Sequence, residues 1–265
     1  MSRFITLGAL GLLASSCLRS HYPTPPVTGQ SRVSLPLQIT AFELVDSSRH
    51  RRIPVVTYSA APTGHPPREQ KLALLNHGYG GQDTAYQFVA RNLVAHGYYV
   101  VSIQQDLPTD APMPLTGNIY QTRYPFWERG VQTMLFTRQA IYQRNPTLKR
   151  RHLLLVGHSN GGDMVMLFAQ EHPGLVEKII SLDNRRVPFP RQRRPRVLSL
   201  RSSDQVADPG VVPTLAEQAR LGTVVVALPA TIHNDMWDGA TELQKQEMNK
   251  WISQFLEQQA AFHNR

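Results

Sequence analysis

The stretch Val156 to Met164, VGHSNGGDM, leaves the apolar run His152 to Val156 through a glycine, presents one serine, and continues through two more glycines. A plain surface loop has no need of that arrangement. Gly157-His158-Ser159-Asn160-Gly161 reads G-x-S-x-G, which suits a tight strand-to-helix turn. Glycines at the flanking positions let strand and helix approach without Cβ clashes, and Gly162 extends the same tolerance. The serine then projects its hydroxyl above the sheet. The amide of Asn160 falls in the first turn of the following helix, where free N–H groups and the helix dipole favour a developing negative charge.

Working outward from this turn, short β-type runs alternate with helical patterns. That alternation predicts an α/β fold with a mostly parallel sheet covered by helices on both faces. The candidate strands are eight: 37–45, 53–59, 72–76, 98–104, 152–157, 178–182, 197–201 and 223–228. Tyr86, Val89, Ala90, Leu93 and Val94 form an apolar helical stripe ending at Gly97, and Met248, Trp251, Ile252, Phe255 and Leu256 form another. The proline-containing stretch Asp106 to Tyr124 reads as an irregular excursion over the sheet edge, of the kind that helps to form substrate sites.

A serine hydroxyl is a poor nucleophile at neutral pH, so Ser159 needs a base and a group to orient that base. TVVVALPATIHNDMWD supplies a strand followed by a loop carrying His233, and RVLSLRSSDQVADPG supplies an earlier strand leading to Asp204. Asp183, at the end of IISLDN, is the other candidate acid. Strand position and spacing favour Asp204, which follows the seventh candidate strand and lies 29 residues before His233 with room for a helix and the eighth strand between them, whereas Asp183 leads straight into Arg185 and Arg186, which could hold it in a structural ion pair. Transition-state charge needs a second donor, and in LALLNHGYGG His-Gly-x-Gly follows a candidate strand; this resembles the HGGG-type loop of lipases and esterases, and by that match the backbone N–H of Tyr79 would act beside that of Asn160. His158 occupies the variable position of the turn and is expected to pack beneath it, and His77 to hold a loop.

With these motifs in place, the chain from Leu37 to its last helix resembles the α/β-hydrolase superfamily. The elbow motif, the HGGG-like loop and the order Ser159, Asp204, His233 carry the resemblance. It implies an eight-stranded α/β-hydrolase domain over 37–265 and a serine hydrolase that needs no cofactor and no metal. In it Ser159 attacks a carbonyl, His233 shuttles the proton and Asp204 orients the imidazole, with a small-molecule ester as substrate. Among relatives it looks like the capless group of dienelactone-hydrolase-like, cutinase-like and platelet-activating-factor-acetylhydrolase-like enzymes. Some of these take their acid from the sixth strand, the position of Asp183. Only about a dozen residues separate the sixth strand from the seventh, too few for an inserted lid. A peptidase or amidase on the same fold, or a binding protein that has kept the fold, are the competing readings.

Composition is consistent with one large domain: 265 residues, 41% hydrophobic and 18% charged. The formal charge of +9 is clustered in Arg49–Arg52, Lys149–Arg151 and Asn184–Arg196. These runs lack interleaved aromatics and any nucleic-acid motif, so they read as solvated loops and not as a nucleic-acid surface. The first 16 residues have a basic start at Arg3, an apolar run from Phe4 to Ala14 and small residues after it, the layout of a secretory signal. The single cysteine, Cys17, stands where such a signal is cut, and the segment resembles a bacterial lipoprotein signal in which that cysteine is lipidated. Residues 17–36, rich in Pro, Ser, Thr and Gly, then read as a flexible tether. The expected location is extracytoplasmic, either membrane-anchored through lipidated Cys17 or secreted. Mass spectrometry of the mature protein is expected to find Cys17 at its N-terminus, as a free thiol or as a diacylglyceryl adduct. An intact Met1 on cytoplasmic protein would contradict the signal reading.

Overall fold

The computed structural model describes residues 36–62 and 69–258. The signal segment, Cys17 and the tether up to residue 35 lie outside the described residues, as do residues 259–265. Eight strands form one open sheet: β1 (Leu37–Asp46), β2 (Arg51–Ala60), β3 (Lys71–Asn76), β4 (Tyr98–Ile103), β5 (Lys149–His158), β6 (Val176–Leu182), β7 (Arg196–Arg201) and β8 (Val224–Ala227). Their order across the sheet is β1-β2-β4-β3-β5-β6-β7-β8. β1 and β2 form an antiparallel hairpin at one edge, β2 meets β4 antiparallel, and every pairing from β4 to β8 is parallel. All eight candidate strands are present, with ends displaced by a few residues.

The central parallel strands β3 to β7 are buried on both faces, and their side chains alternate between two cores. Leu153 and Leu155 join the cluster under α2 (Ile119–Arg144) and α3 (Asn160–Glu171), while Leu154 and Val156 face the cluster under α1 (Gln87–Ala95) and α5 (Glu242–Glu257). This near-continuous apolar run is what a strand covered by helices on both sides requires. α5 buries the stripe read from the sequence, with Met248, Ile252, Phe255 and Leu256 inside, and begins in a capping box between Thr241 and Gln244. α1 has no cap from its own N-terminal residue. Instead the Asp238 carboxylate accepts hydrogen bonds from the N–H groups of Gln87 (2.9 Å) and Phe88 (3.0 Å), a remote cap supplied by the segment after β8. The short α4 (Leu215–Leu221) precedes β8 and carries its own Thr214 to Glu217 capping box.

The excursion expected over Asp106 to Tyr124 is shorter than the sequence suggested. Helix α2 begins at Ile119, capped by the Asn118 side chain, and holds Pro125 in its interior. Local propensity argued against a helix there; burial of Trp127, Val131 and Met134 against α3 overrides it. The basic runs are largely exposed, as at Arg52, Arg150, Arg151, Arg191, Arg193 and Arg194, but not everywhere. Arg51 forms an ion pair with Asp110 at 2.7 Å, which ties the β1–β2 hairpin to the excursion.

The C-terminal ends of β3 and β5 lie side by side where the winding of the sheet reverses, which is the place where open α/β sheets bind ligands. The integrity of this platform depends on α5. Ile252→Ala is expected to cost about 2 to 5 kcal/mol in equilibrium urea unfolding, while Gln246→Ala on the exposed face of the same helix stays within about 0.5 kcal/mol. Equal effects from the two would contradict the assigned packing face.

Candidate active site

β5 runs into the turn at Ser159, and α3 starts at the next residue. Ser159 itself has φ 51° and ψ −116°, a backbone conformation that non-glycine residues rarely adopt. Two contacts hold it there. Ser159 N–H donates to Leu182 O on β6 at 2.9 Å. The first turn of α3 also sits directly on the strand ends: a Cβ at Gly161 would lie 2.5 Å from the carbonyl oxygens of both Asn76 and His77, and one at Gly157 would strike the carbonyl of Gly161. Glycine is required here for close approach, as the G-x-S-x-G pattern suggested. Trp127 of α2 donates from Nε1 to the Asn160 side-chain oxygen at 2.7 Å and so fixes the first residue of α3.

His233 follows β8 in a short helical turn and is largely buried. Ser159 Oγ donates to His233 Nε2 at 2.8 Å, and His233 Nδ1 donates to a carboxylate at 2.6 Å. That carboxylate is Asp183, not Asp204. Asp183 lies directly after β6, fully buried, with its N–H continuing the ladder to Leu200 O at 2.9 Å. The Ser202 hydroxyl donates to Asp183 Oδ2 at 2.7 Å and the Ser202 N–H to Oδ1 at 3.2 Å. Arg201 of β7 forms a buried ion pair with Oδ1 at 2.9 Å. Burial opposes ionisation of Asp183, but the His233 hydrogen bond, the Arg201 charge and Ser202 together hold its carboxyl below the usual carboxylate value.

Asp204, the acid expected from strand position and spacing, is exposed and accepts from the His233 backbone N–H at 2.7 Å. It pins the loop that carries the imidazole without touching the ring. The ion pair suspected between Asp183 and its sequence neighbours is also absent among the described residues. After Asp183 the chain turns so that the backbone N–H groups of Arg185, Arg186 and Val187 point to Asp163 on α3, at 3.2, 2.8 and 2.9 Å. The arginine that does reach Asp183 comes from β7.

His158 has a role beyond filling space beneath the turn. Gly78 N–H donates to Tyr86 Oη (3.2 Å), Tyr86 O–H to His158 Nδ1 (2.7 Å), and His158 Nε2–H to the His233 carbonyl (3.1 Å). Each link fixes the next, so His158 must be a neutral tautomer. Burial first, and then the adjacent His233, push its pKa down to about 3, which keeps the ring uncharged at neutral pH. His77 holds its loop as expected, donating from Nδ1 to Gly78 O (2.7 Å) and accepting at Nε2 from Gln105 N–H (2.9 Å).

This frame presents the HGYG loop beside Ser159. A Cβ on Gly78 would come within 3.4 Å of Ser159 Cβ. Gly80 N–H is held by Asp106 and the Tyr79 hydroxyl accepts from Met113 N–H, both at 3.0 Å, so the excursion walls one side of the site. Tyr79 and Asn160 both line the cavity of about 270 Å³ that contains Ser159 and His233. The Asn160 N–H, in the first turn of α3, has no intrahelical acceptor. The arrangement sets a serine hydroxyl against an imidazole whose other nitrogen is held by a carboxylate, with a positive helix end beside the hydroxyl.

No protein-family model matches the chain, and no curated protein matches it. Solved structures do. The chain is similar to a dienelactone hydrolase-like promiscuous phosphotriesterase from metagenomic libraries, at 14% identity, covering 83% of this chain and 98% of that one with a TM-score of 0.58. It is similar to an esterase from the hyperthermophilic archaeon Pyrobaculum calidifontis, at 12% identity over 84% of each chain and a TM-score of 0.61. A fungal esterase from Rhizomucor miehei matches at 12% identity, 84% of each chain and a TM-score of 0.59. The chain has the α/β-hydrolase fold.

Asp163 gives this site a measurable pH signature. Its burial outweighs the four donors on Oδ1 and raises its pKa to about 6 from 3.8. A carboxylate whose folded pKa lies above its unfolded one ionises at the expense of the folded state. That burden is absent below about pH 3.8, grows through about pH 6, and is then constant. Asp163→Asn keeps the acceptor and removes the charge. Its stability relative to wild type is expected to rise between pH 4.5 and 7.5, by on the order of 3 kcal/mol at most. A pH-independent difference in urea unfolding would contradict the assignment.

Proposed function

We propose that the chain is a serine hydrolase that cleaves carboxylic esters by way of an acyl-enzyme. The observation that carries this reading is the continuous hydrogen-bonded series from Ser159 Oγ to His233 at 2.8 Å and from His233 to Asp183 at 2.6 Å, at the head of α3. Ser159 Oγ attacks the ester carbonyl carbon as its proton passes to His233 Nε2. Asp183 keeps Nδ1 protonated and stabilises the imidazolium that forms. The negative charge on the former carbonyl oxygen is received by the N–H groups of Tyr79 and Asn160. His233 then returns the proton to the departing alkoxide, and water repeats the sequence to release the acid. The esterases among the structural neighbours support an ester over other acyl substrates. The signal-like N-terminus supports action outside the cytoplasm.

A fluorophosphonate probe is expected to label the wild-type protein and not Ser159→Ala, with circular dichroism unchanged; equal labelling of both would overturn the reading. The acid is identified by a matched pair of substitutions. Asp183→Asn is expected to lower kcat by orders of magnitude, up to about 10⁴-fold. Asp204→Asn keeps an acceptor for the His233 backbone N–H and removes only a charge that does not touch the imidazole, and its effect is expected to be far smaller. The reverse order in p-nitrophenyl ester assays would return the role to Asp204.

A further inference from the structure

The cavity beside Ser159 is more basic than ester hydrolysis requires. Arg123 from the first turns of α2, and Arg185 and Arg186 from the loop after β6, line it together with Ser159 and His233. Asp163 is the one carboxylate among its described lining residues, and its oxygen is already occupied by the N–H groups of residues 185–187. Arg186 is neutralised from behind by an ion pair with Asp208. Three guanidiniums therefore face two carboxylates, an excess of one positive charge.

The two remaining guanidiniums are held by neutral groups. Arg123 donates from Nε to the Pro114 carbonyl at 2.9 Å, and Arg185 donates from Nη1 to the Gln205 side-chain oxygen. Each contact fixes the side chain through a neutral acceptor, so Asp163 alone offsets the pair and one positive charge remains. Partial burial first, and then the charge of Arg186, disfavour the charged form of Arg123; Asp163 opposes them and Arg185 adds to them, with a net downward shift. Like charges gathered in a partly desolvated cavity cost stability, and an anion seated among them relieves that cost through charge-assisted hydrogen bonds. Guanidiniums suit a carboxylate in particular, because their forked N–H groups match its two oxygens.

We propose, resting on the ester-hydrolase reading, that the substrate is an ester that also carries a carboxylate, bound by Arg123 and Arg185. Phenyl hexanoate, the monophenyl ester of adipic acid and 4-carboxyphenyl hexanoate form a matched set. The first is neutral, the second has the carboxylate on the acyl side, and the third has it on the leaving group. At least one carboxylate ester is expected to exceed phenyl hexanoate in kcat/KM by roughly tenfold or more, the scale of one desolvated hydrogen bond to a charge. In Arg123→Gln and Arg185→Gln the ratio of carboxylate to neutral ester should collapse towards unity, and added salt should erode it in wild type. Turnover with no preference for either carboxylate ester, or a preference that survives both substitutions, overturns this proposal alone, as does fluorophosphonate labelling without turnover of either. Absence of all turnover together with absence of labelling overturns the hydrolase reading, and this proposal with it.

Discussion

The site exists because the first turn of α3 rests on bare backbone. Gly161 lies against the carbonyls of Asn76 and His77, and Gly157 against Gly161 itself, with no room for a methyl group at either position. This contact forces Ser159 into its positive-φ turn. It also sets the end of β3 beside the end of β5, so the HGYG loop and the head of α3 converge on one hydroxyl. Move α3 outward by the thickness of a side chain and the serine loses both its exposure and its neighbours. Packing of Trp127, Val131 and Met134 behind α3 supplies the pressure that keeps the contact closed.

Electrostatics then divides the buried groups into charged and neutral. Asp183 stays ionised in a fully buried position because His233, Ser202 and Arg201 all compensate it. A carboxylate left there without them would take up a proton. His158, a few ångströms away, is pressed in the opposite direction and stays neutral, which lets one nitrogen accept and the other donate. The sheet thus holds a fixed negative charge on one side of His233 and an uncharged relay on the other. Both are set by residues immediately following or within strands, where backbone position is best defined.

Much of this was legible in the sequence, and the parts that were not share a cause. The strands announced themselves because parallel strands covered on both faces are continuously apolar, and the glycines around Ser159 because close backbone approach leaves a compositional trace. His233 followed from its place after the last strand. Asp204 was favoured over Asp183 on strand position and spacing, and the adjacent Arg185 and Arg186 offered Asp183 a structural ion pair. A turn sends their backbone to Asp163, while the true counter-ion comes from Arg201 on the next strand. One signal did favour it: Asp183 ends an apolar run as abruptly as Ser159 does, whereas Asp204 stands three residues beyond its strand in a polar loop. The start of α2 was missed for a similar reason, since Pro125 and the preceding prolines speak locally and the burial of Trp127 does not.

The start of α1 ties these pieces together. Asp238, from the segment after His233, caps this helix, and Tyr86, the residue immediately before it, joins Gly78 to His158 and through it to the His233 carbonyl. The loop bearing the imidazole and the loop bearing the Tyr79 amide are therefore hung from a single hinge pin. Either loop can shift with respect to solvent, but neither can shift much with respect to the other. Substitutions in the outer parts of both loops can then alter the outline of the cavity while this shared anchor keeps the spacing between the His233 imidazole and the Tyr79 amide. That separation lets one scaffold change what it admits without rebuilding the machinery beneath.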